Sequence, residues 1–123
     1  MSQNPNGYDL ENRTALFGEE IIKFCKNLPQ DSITKPLISQ LIRSSTSIGA
    51  NYMEANGASS RKDFRNKIFI CKKEAQESKH WLRMFKTCTE NKVMEIEKLW
   101  KEAQELTLIF QKITSSLDKK SVN

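Results

Sequence analysis

Six basic side chains recur along one stretch of the sequence, at spacings that place them on a single flank of a helix. They are Arg61, Arg65, Lys72, Lys79, Arg83 and Lys86. With Phe64 at zero and 100° per residue, all six fall within an arc of roughly 40° to 100°, and the helix spans ~40 Å. A row of cations of this kind can follow a phosphate backbone, so this basic stripe is a candidate nucleic-acid site. Lys62 and Lys73 lie further round the helix and widen the stripe.

Two interpretations of the basic stripe remain open at this point. Lysine and arginine also keep helical bundles soluble, and their stems cover the edges of apolar seams. The distribution of charge gives the binding interpretation equal standing. Residues 61–92 carry ten Lys/Arg and four Asp/Glu, residues 1–60 carry five and six, and residues 93–123 carry five and five. The net charge of +5 therefore arises in one part of the chain.

The other residues able to do chemistry do not form a catalytic or metal-binding set. Glu77 and His80 are three residues apart, as in the Glu-x-x-His pairs of di-metal bundles, but His80 is the only histidine. Cys25, Cys71 and Cys88 show neither CxxC nor mixed Cys/His spacing, which predicts reduced thiols in a cytoplasmic protein. We therefore expect no metal and no cofactor.

A cluster of serines also lacks the partners that nucleophilic catalysis requires. Ser44, Ser45 and Ser47 lie in no GxSxG or Ser-x-x-Lys pattern, and the sequence contains no glycine-rich phosphate loop. Together with Gly49 and Ala50, these small residues are expected to let two helices approach closely. The sequence therefore predicts a protein that is not an enzyme.

Two polar residues, Asn51 and Glu54, adjoin this small-residue stretch. We interpret them as structural. Their expected role is to form buried hydrogen bonds that fix the register between helices.

Four amphipathic helices must position these residues. They are predicted from about Leu10 to Asn27, from a start between Asp31 and Lys35 to near Asn56-Gly57, from the Ser60 cap to about Cys88, and from after Lys92 to about Leu117. Residues 1–9 are predicted to be disordered, residues 10–117 to form the bundle, and residues 118–123 to be a frayed tail. The polar N-terminus and the absence of a long apolar run predict no signal peptide and no transmembrane helix.

Apolar residues repeat with heptad spacing in the last two helices. One seam is Phe64, Ile68, Cys71, Ala75, Ser78, Leu82 and Phe85, and the other is Ile96, Leu99, Ala103, Leu106, Phe110, Ile113 and Leu117. Such seams indicate nearly aligned helices, and short links force neighbouring helices to run antiparallel. The predicted fold is all-α, an antiparallel up-and-down four-helix bundle.

A second set of apolar residues lies away from these seams and predicts an oligomer interface. It comprises Ile70, Trp81, Met84, Trp100, Leu108 and Ile109. A helix with two apolar faces is buried on two sides, and symmetric self-association would cover the second side. The alternative is that a corner helix buries both faces within one chain.

Two stretches of the sequence resemble the signatures of the bacterial four-helix bundle protein family. Residues 40–55, QLIRSSTSIGANYMEA, resemble the first signature, and residues 62–64, KDF, with residues 73–82, KEAQESKHWL, resemble the second. The resemblance extends over roughly residues 10–117. The family includes proteins encoded by intervening sequences within large-subunit ribosomal RNA genes.

The resemblance implies a ring-shaped homopentamer and kinship with the accessory protein of diversity-generating retroelements. That relative is a basic pentameric barrel that binds nucleic acid and a reverse transcriptase. The expected function is therefore that of a cytoplasmic homo-oligomer that binds RNA or DNA through the basic stripe, with little regard to sequence. Its expected partners are further copies of itself, nucleic acid, and a reverse transcriptase or another protein, but no membrane. The alternative is a protein-interaction scaffold that docks an acidic partner protein.

Overall fold

The computed structural model describes the backbone of residues 9–122 and the side chains of residues 9–119. Within that part of the chain it contains four α-helices, one 3-10 turn and no strand. They are α1 (Leu10–Lys26), α2 (Thr34–Asn56), α3 (Arg61–Cys88), the 3-10 turn Glu90–Lys92 and α4 (Val93–Val122). The prediction of four helices is confirmed. The predicted disorder of residues 1–8 lies outside the described residues.

Short polar side chains accept backbone amide hydrogen bonds where α1, α2 and α3 begin. Asp9 accepts a hydrogen bond from the amide of Asn12 (3.1 Å), so this residue caps α1 instead of belonging to the preceding segment. The predicted Ser60 cap is confirmed, because its Oγ accepts the amide hydrogen of Asp63 at 3.0 Å. The carboxylate of Asp31 accepts hydrogen bonds from the amides of Thr34 and Ile33, and these bonds lower its pKa.

The C-terminal boundary of α4 differs from the prediction. The helix continues to Val122 instead of ending near Leu117. Two arginines at the start of α3 contact this last part of α4: Arg61 donates to the carbonyl of Leu117, and Arg65 pairs with Asp118. Contacts to another helix stabilise terminal turns that intrinsic propensity alone leaves weak.

The helices pack unequally against one another. Contacts are extensive between α2 and α3, between α3 and α4, and between α1 and α2, whereas α1 and α4 touch only sparsely. An open groove of about 770 Å³ separates α1 from α4 and is lined by Leu16, Phe17, Phe24 and Leu99. Arg13 crosses this groove to Glu102 and Glu105 (2.7 and 2.8 Å).

The core follows the predicted heptad seams. On α3 and α4 the most deeply buried seam residues are Ile68, Cys71, Ala75, Ser78, Leu82, Phe85, Ile96, Ala103, Leu106 and Phe110. The ring of Phe85 meets that of Phe24 edge-on at 5.9 Å. Buried Ser44 and Ser78 form a hydrogen bond of 2.9 Å that joins α2 to α3. Among the described residues, no helix combines the length and apolar character that a membrane span requires.

Two residues of the small-residue stretch of α2, Ser45 and Gly49, lie close to α1. A Cβ atom built on Gly49 would lie 3.4 Å from Thr14 Oγ1, and one built on Gly18 would lie 3.6 Å from the Cα of Thr46. These are ordinary van der Waals distances, so an added methyl group would contact the neighbouring helix without displacing it. The two glycines and buried Ser45 therefore lie where α1 and α2 approach closely.

The interpretation of Asn51 and Glu54 as buried register-fixing residues was wrong. The amide of half-buried Asn51 donates to the carbonyl and the hydroxyl of Ser47, one turn earlier in its own helix. Glu54 is exposed and accepts from Lys67 at 2.7 Å. Glu54 therefore lies at the rim of the α2–α3 contact, within reach of the long Lys67 side chain. The buried polar link between these helices is the Ser44–Ser78 pair instead.

Two leucines of α4 provide a matched test of this burial pattern. Leu106 is fully buried and Leu108 is 57% exposed. We expect Leu106→Ala to lower the free energy of unfolding by about 2–5 kcal/mol, because it leaves a cavity. Leu108→Ala should change it by less than about 0.5 kcal/mol. Urea denaturation measures both values, and an equally large loss for the Leu108 variant would contradict its exposed placement.

The three cysteines should differ sharply in reactivity. Burial raises the pKa of Cys25 to about 11 and that of Cys71 to about 12, whereas Cys88 is exposed. Because the thiolate is the reactive form, a chromogenic disulfide reagent should label one thiol per chain in the native protein and three in denaturant. The native signal should disappear in Cys88→Ser. Rapid labelling of a second thiol in the native protein would contradict the burial of Cys25 and Cys71.

Candidate nucleic-acid interface

The basic stripe of α3 lies along α4 at the surface of the bundle, where Arg61, Arg83 and Lys86 are exposed and the other three cations are half-buried. Four of its cations contact four side chains of α4 in a regular series, which we call the ladder. Its rungs are Arg65–Asp118, Lys72–Gln111, Lys79–Gln104 and Lys86–Glu97. The distances are 2.6 Å for Arg65 Nε to Asp118, 2.8 Å for Lys72 Nζ to Gln111 and 3.4 Å for Lys86 Nζ to Glu97.

The ladder follows from the seven-residue repeat of both helices. Its cations are seven residues apart on α3, and their partners are seven residues apart on α4 in the reverse order. Residues seven apart return to nearly the same side of a helix, so a register that aligns the two core seams also aligns these outer flanks. The core seams therefore determine which polar residues meet.

The rungs differ in charge between the ends and the middle of the ladder. At the ends, Asp118 and Glu97 supply carboxylates; the hydrogen bond with Arg65 lowers the pKa of Asp118 and raises that of the arginine. In the middle, the oxygens of Gln111 and Gln104 hold the ammonium groups of their lysines without cancelling the charge.

The middle of the ladder therefore carries uncompensated positive charge. Among the described residues, neither Lys72 nor Lys79 lies within salt-bridge distance of a carboxylate. The remaining two cations of the stripe lie near the end rungs, Arg61 one turn before Arg65 and Arg83 one turn before Lys86. Arg61 donates to the carbonyl of Leu117 at 2.8 Å, and exposed Arg83 forms no salt bridge within the described part of the chain. Lys62 and Lys73 are exposed beside them.

Two aromatic rings accompany the two lysines in the middle of the ladder. The Nζ of Lys72 lies 5.0 Å from the ring centroid of Phe69, and the Nζ of Lys79 lies 5.2 Å from that of Trp100. Phe69 is 41% exposed and Trp100 is 38% exposed. The spacing of the basic residues alone does not indicate Phe69, although its position three residues before Lys72 places it on the outer side of the same flank.

The residues predicted to form one oligomer interface do not form one patch. Ile70, Trp81 and Met84 are half-buried, and the indole of Trp81 donates at 3.1 Å to Glu77, which also accepts from Arg43 of α2. This flank of α3 faces α2. The α4 residues of the set lie elsewhere on the bundle.

Those α4 residues themselves divide between two flanks. Trp100 contacts Lys79, and exposed Leu108 lies between Gln104 and Gln111, so both belong to the ladder side. Ile109 follows Glu102 by seven residues, lies on the α1 side of the helix and packs against the core. The position of a residue around its own helix does not show which neighbouring helix it will contact. For this reason the residues predicted to form one interface lie on several flanks.

The Glu77–His80 pair considered for metal binding is engaged otherwise. Glu77 accepts from Arg43 and Trp81, and exposed His80 contacts the ring of Trp81, with centroids 4.8 Å apart. Within the described part of the chain, no group of three His, Cys, Asp or Glu side chains is arranged to hold a metal ion.

Comparison with known proteins identifies a family and a solved relative. Residues 8–112 match the sequence profile of the 23S rRNA-intervening sequence protein family. The chain is also similar to a crystal structure of a protein of unknown function from the S23 ribosomal protein family of Bacteroides thetaiotaomicron. That similarity has a TM-score of 0.75 at 29% identity and covers 85% of this chain and 96% of the other. No curated protein matches the sequence.

Proposed function

This chain belongs to the 23S rRNA-intervening sequence protein family, and from that premise we propose that it is a non-enzymatic, nucleic-acid-binding accessory protein. The observation that carries the proposal is the charge of the ladder. Lys72 and Lys79 are each held by a neutral glutamine, so their positive charges are fixed in position but not cancelled. Fixed, uncompensated cations in a row suit a polyanion with regularly spaced phosphates.

The six cations of the stripe are not equivalent in this proposal. Lys72, Lys79, Arg61 and Arg83 neutralise phosphates, because none of them is paired with a carboxylate among the described residues. Arg65 and Lys86 contribute less, since Asp118 and Glu97 already offset their charge. Contacts to phosphate position a protein on nucleic acid without reading bases, so binding of RNA or DNA tolerates changes of sequence.

We also propose that the helices run antiparallel, up and down, and that the chains assemble into a homo-oligomeric ring of five. Support for the first part comes from the contacts between helices. Arg61 and Lys86, near the two ends of α3, meet Leu117 and Glu97 of α4 in reverse order.

Support for assembly comes from the exposed apolar side chains of Leu16 and Ile22 on α1. The number of five chains rests on the family resemblance.

Glutamine-to-glutamate substitution in the ladder tests the nucleic-acid proposal. Gln104→Glu or Gln111→Glu keeps the shape and the oxygen that accepts from lysine but adds a cancelling charge. We expect each substitution to weaken binding and to reduce the slope of log affinity against log salt by about one. Fluorescence anisotropy with a labelled oligonucleotide, titrated at several salt concentrations, measures both quantities.

Gln40→Glu is the matched control for this experiment, because it adds the same charge at an exposed position of α2, away from the ladder. An equal effect of all three substitutions would contradict the ladder as the binding site. Failure of the unaltered protein to bind any nucleic acid at low salt would overturn the proposed function. Tight binding of an acidic polypeptide alone would favour the alternative, a scaffold that docks an acidic partner protein.

The assembly proposal has its own test. Light scattering coupled to size exclusion should give a mass five times that of the 14.2 kDa chain. Leu16→Glu places a charge beside the α1–α4 groove and should reduce that mass if the groove lies at the interface between copies. A mass equal to that of one chain would contradict self-association.

A further inference from the structure

We propose that the ladder flank binds single-stranded nucleic acid in preference to duplex, with Phe69 and Trp100 stacking on unpaired bases while Lys72 and Lys79 contact the phosphates. This inference rests on the proposed function and adds the class of ligand. It assigns a role to two aromatic residues that take no part in neutralising phosphates. The relevant observation is that each uncompensated lysine of the ladder has an exposed ring beside it.

Each pair of lysine and ring offers two complementary contacts within a short distance. The ammonium groups lie 5.0 Å and 5.2 Å from the ring centroids. A nucleotide likewise presents a flat base and a phosphate that are a few bonds apart. A ring can therefore stack on the base while the lysine turns towards the phosphate, and the glutamine at the same rung keeps the lysine close. Proteins that bind single strands combine aromatic platforms with cations in this way.

The order of the residues along the flank suits a strand that runs parallel to the two helices. Phe69 precedes Lys72 on α3, Lys79 lies one heptad further, and Trp100 lies one turn beyond Gln104, towards the Lys86–Glu97 rung. The two lysines are ~10 Å apart along the helix axis. This separation corresponds to about three nucleotide steps of a stacked strand, at 3.4 Å per step.

The charge of the flank argues for a polyanion over a second copy of this chain as the occupant. The chain is itself positive, with a net charge of +5. A second copy docked here would have to bury the uncompensated ammonium groups of Lys72 and Lys79, and burying unpaired charges is costly. Leu108, 57% exposed between Gln104 and Gln111, adds apolar surface that suits the face of a base.

Aromatic stacking distinguishes a single strand from a duplex. In a duplex the faces of the bases are already stacked on one another, and only phosphates and groove edges are accessible. The lysines therefore serve both forms of nucleic acid, whereas Phe69 and Trp100 contribute only to the single-stranded form. Loss of the rings should change the preference between the two forms and leave duplex binding unaltered.

The decisive experiment removes the rings and keeps the charges. Phe69→Leu and Trp100→Leu are titrated with a labelled oligonucleotide of mixed sequence, both as a single strand and annealed to its complement. We expect each substitution to weaken single-strand binding about tenfold and to leave duplex binding within about twofold. Phe69→Tyr and Trp100→Phe keep an aromatic ring and should restore most of the affinity.

Tryptophan fluorescence provides a readout that a purely structural role would not change. The chain contains two tryptophans, Trp81 and Trp100. Stacking of a base on Trp100 should quench emission when the single strand is added, and the quenching should persist in Trp81→Phe but disappear in Trp100→Phe. Quenching that follows Trp81 instead would overturn the assignment.

The remaining outcomes separate this inference from the proposed function. The single-strand inference is wrong if the unaltered protein binds duplex as tightly as single strand and the ring variants have the same two affinities. The proposed function, which rests on charge, would still stand. If no form of nucleic acid binds, both are wrong. If the ring variants reduce the oligomer mass without weakening single-strand binding, a second copy covers the rings and the inference is overturned.

Discussion

The seven-residue register between α3 and α4 is the constraint on which both the core and the outer surface depend. It brings Ile68, Leu82 and Phe85 into the core, and it brings each cation of the ladder opposite one α4 side chain. A shift of one residue between the two helices would break the core packing and every rung together. The surface arrangement is therefore as well specified as the core, although its own hydrogen bonds are weak in water.

The strength of the fold and the charge of the ladder come from different residues. Exposed ion pairs and hydrogen bonds contribute about 1 kcal/mol or less each, whereas a buried leucine or phenylalanine contributes several times that. The middle rungs can consequently carry glutamine in place of glutamate with little effect on stability. The glutamines at 104 and 111 leave two positive charges at the centre of the ladder, between end rungs that are balanced by Asp118 and Glu97.

Features that depend on one helix were predictable from the sequence, and features that depend on two were not. The seams, the Ser60 cap and the angular position of the basic stripe all follow from spacing within one segment. The partners of Lys72 and Lys79 depend on the register of a second helix, which no single-segment pattern contains. Trp100 was grouped with Trp81 for this reason, since its angle on α4 was known but its neighbour Lys79 was not. Asn51 was misjudged because a half-buried amide can satisfy its hydrogen bonds within its own helix.

The chemistry of the middle rungs also determines which solution variable this surface responds to. Each middle rung joins a lysine to a neutral glutamine amide, and neither rung contains a carboxylate or an imidazole. At one end, the bond from Arg65 moves the pKa of Asp118 further into the acid range. Acidity is therefore a poor regulator of this flank. Ionic strength, which screens fixed charges without altering them, is the condition that tunes it.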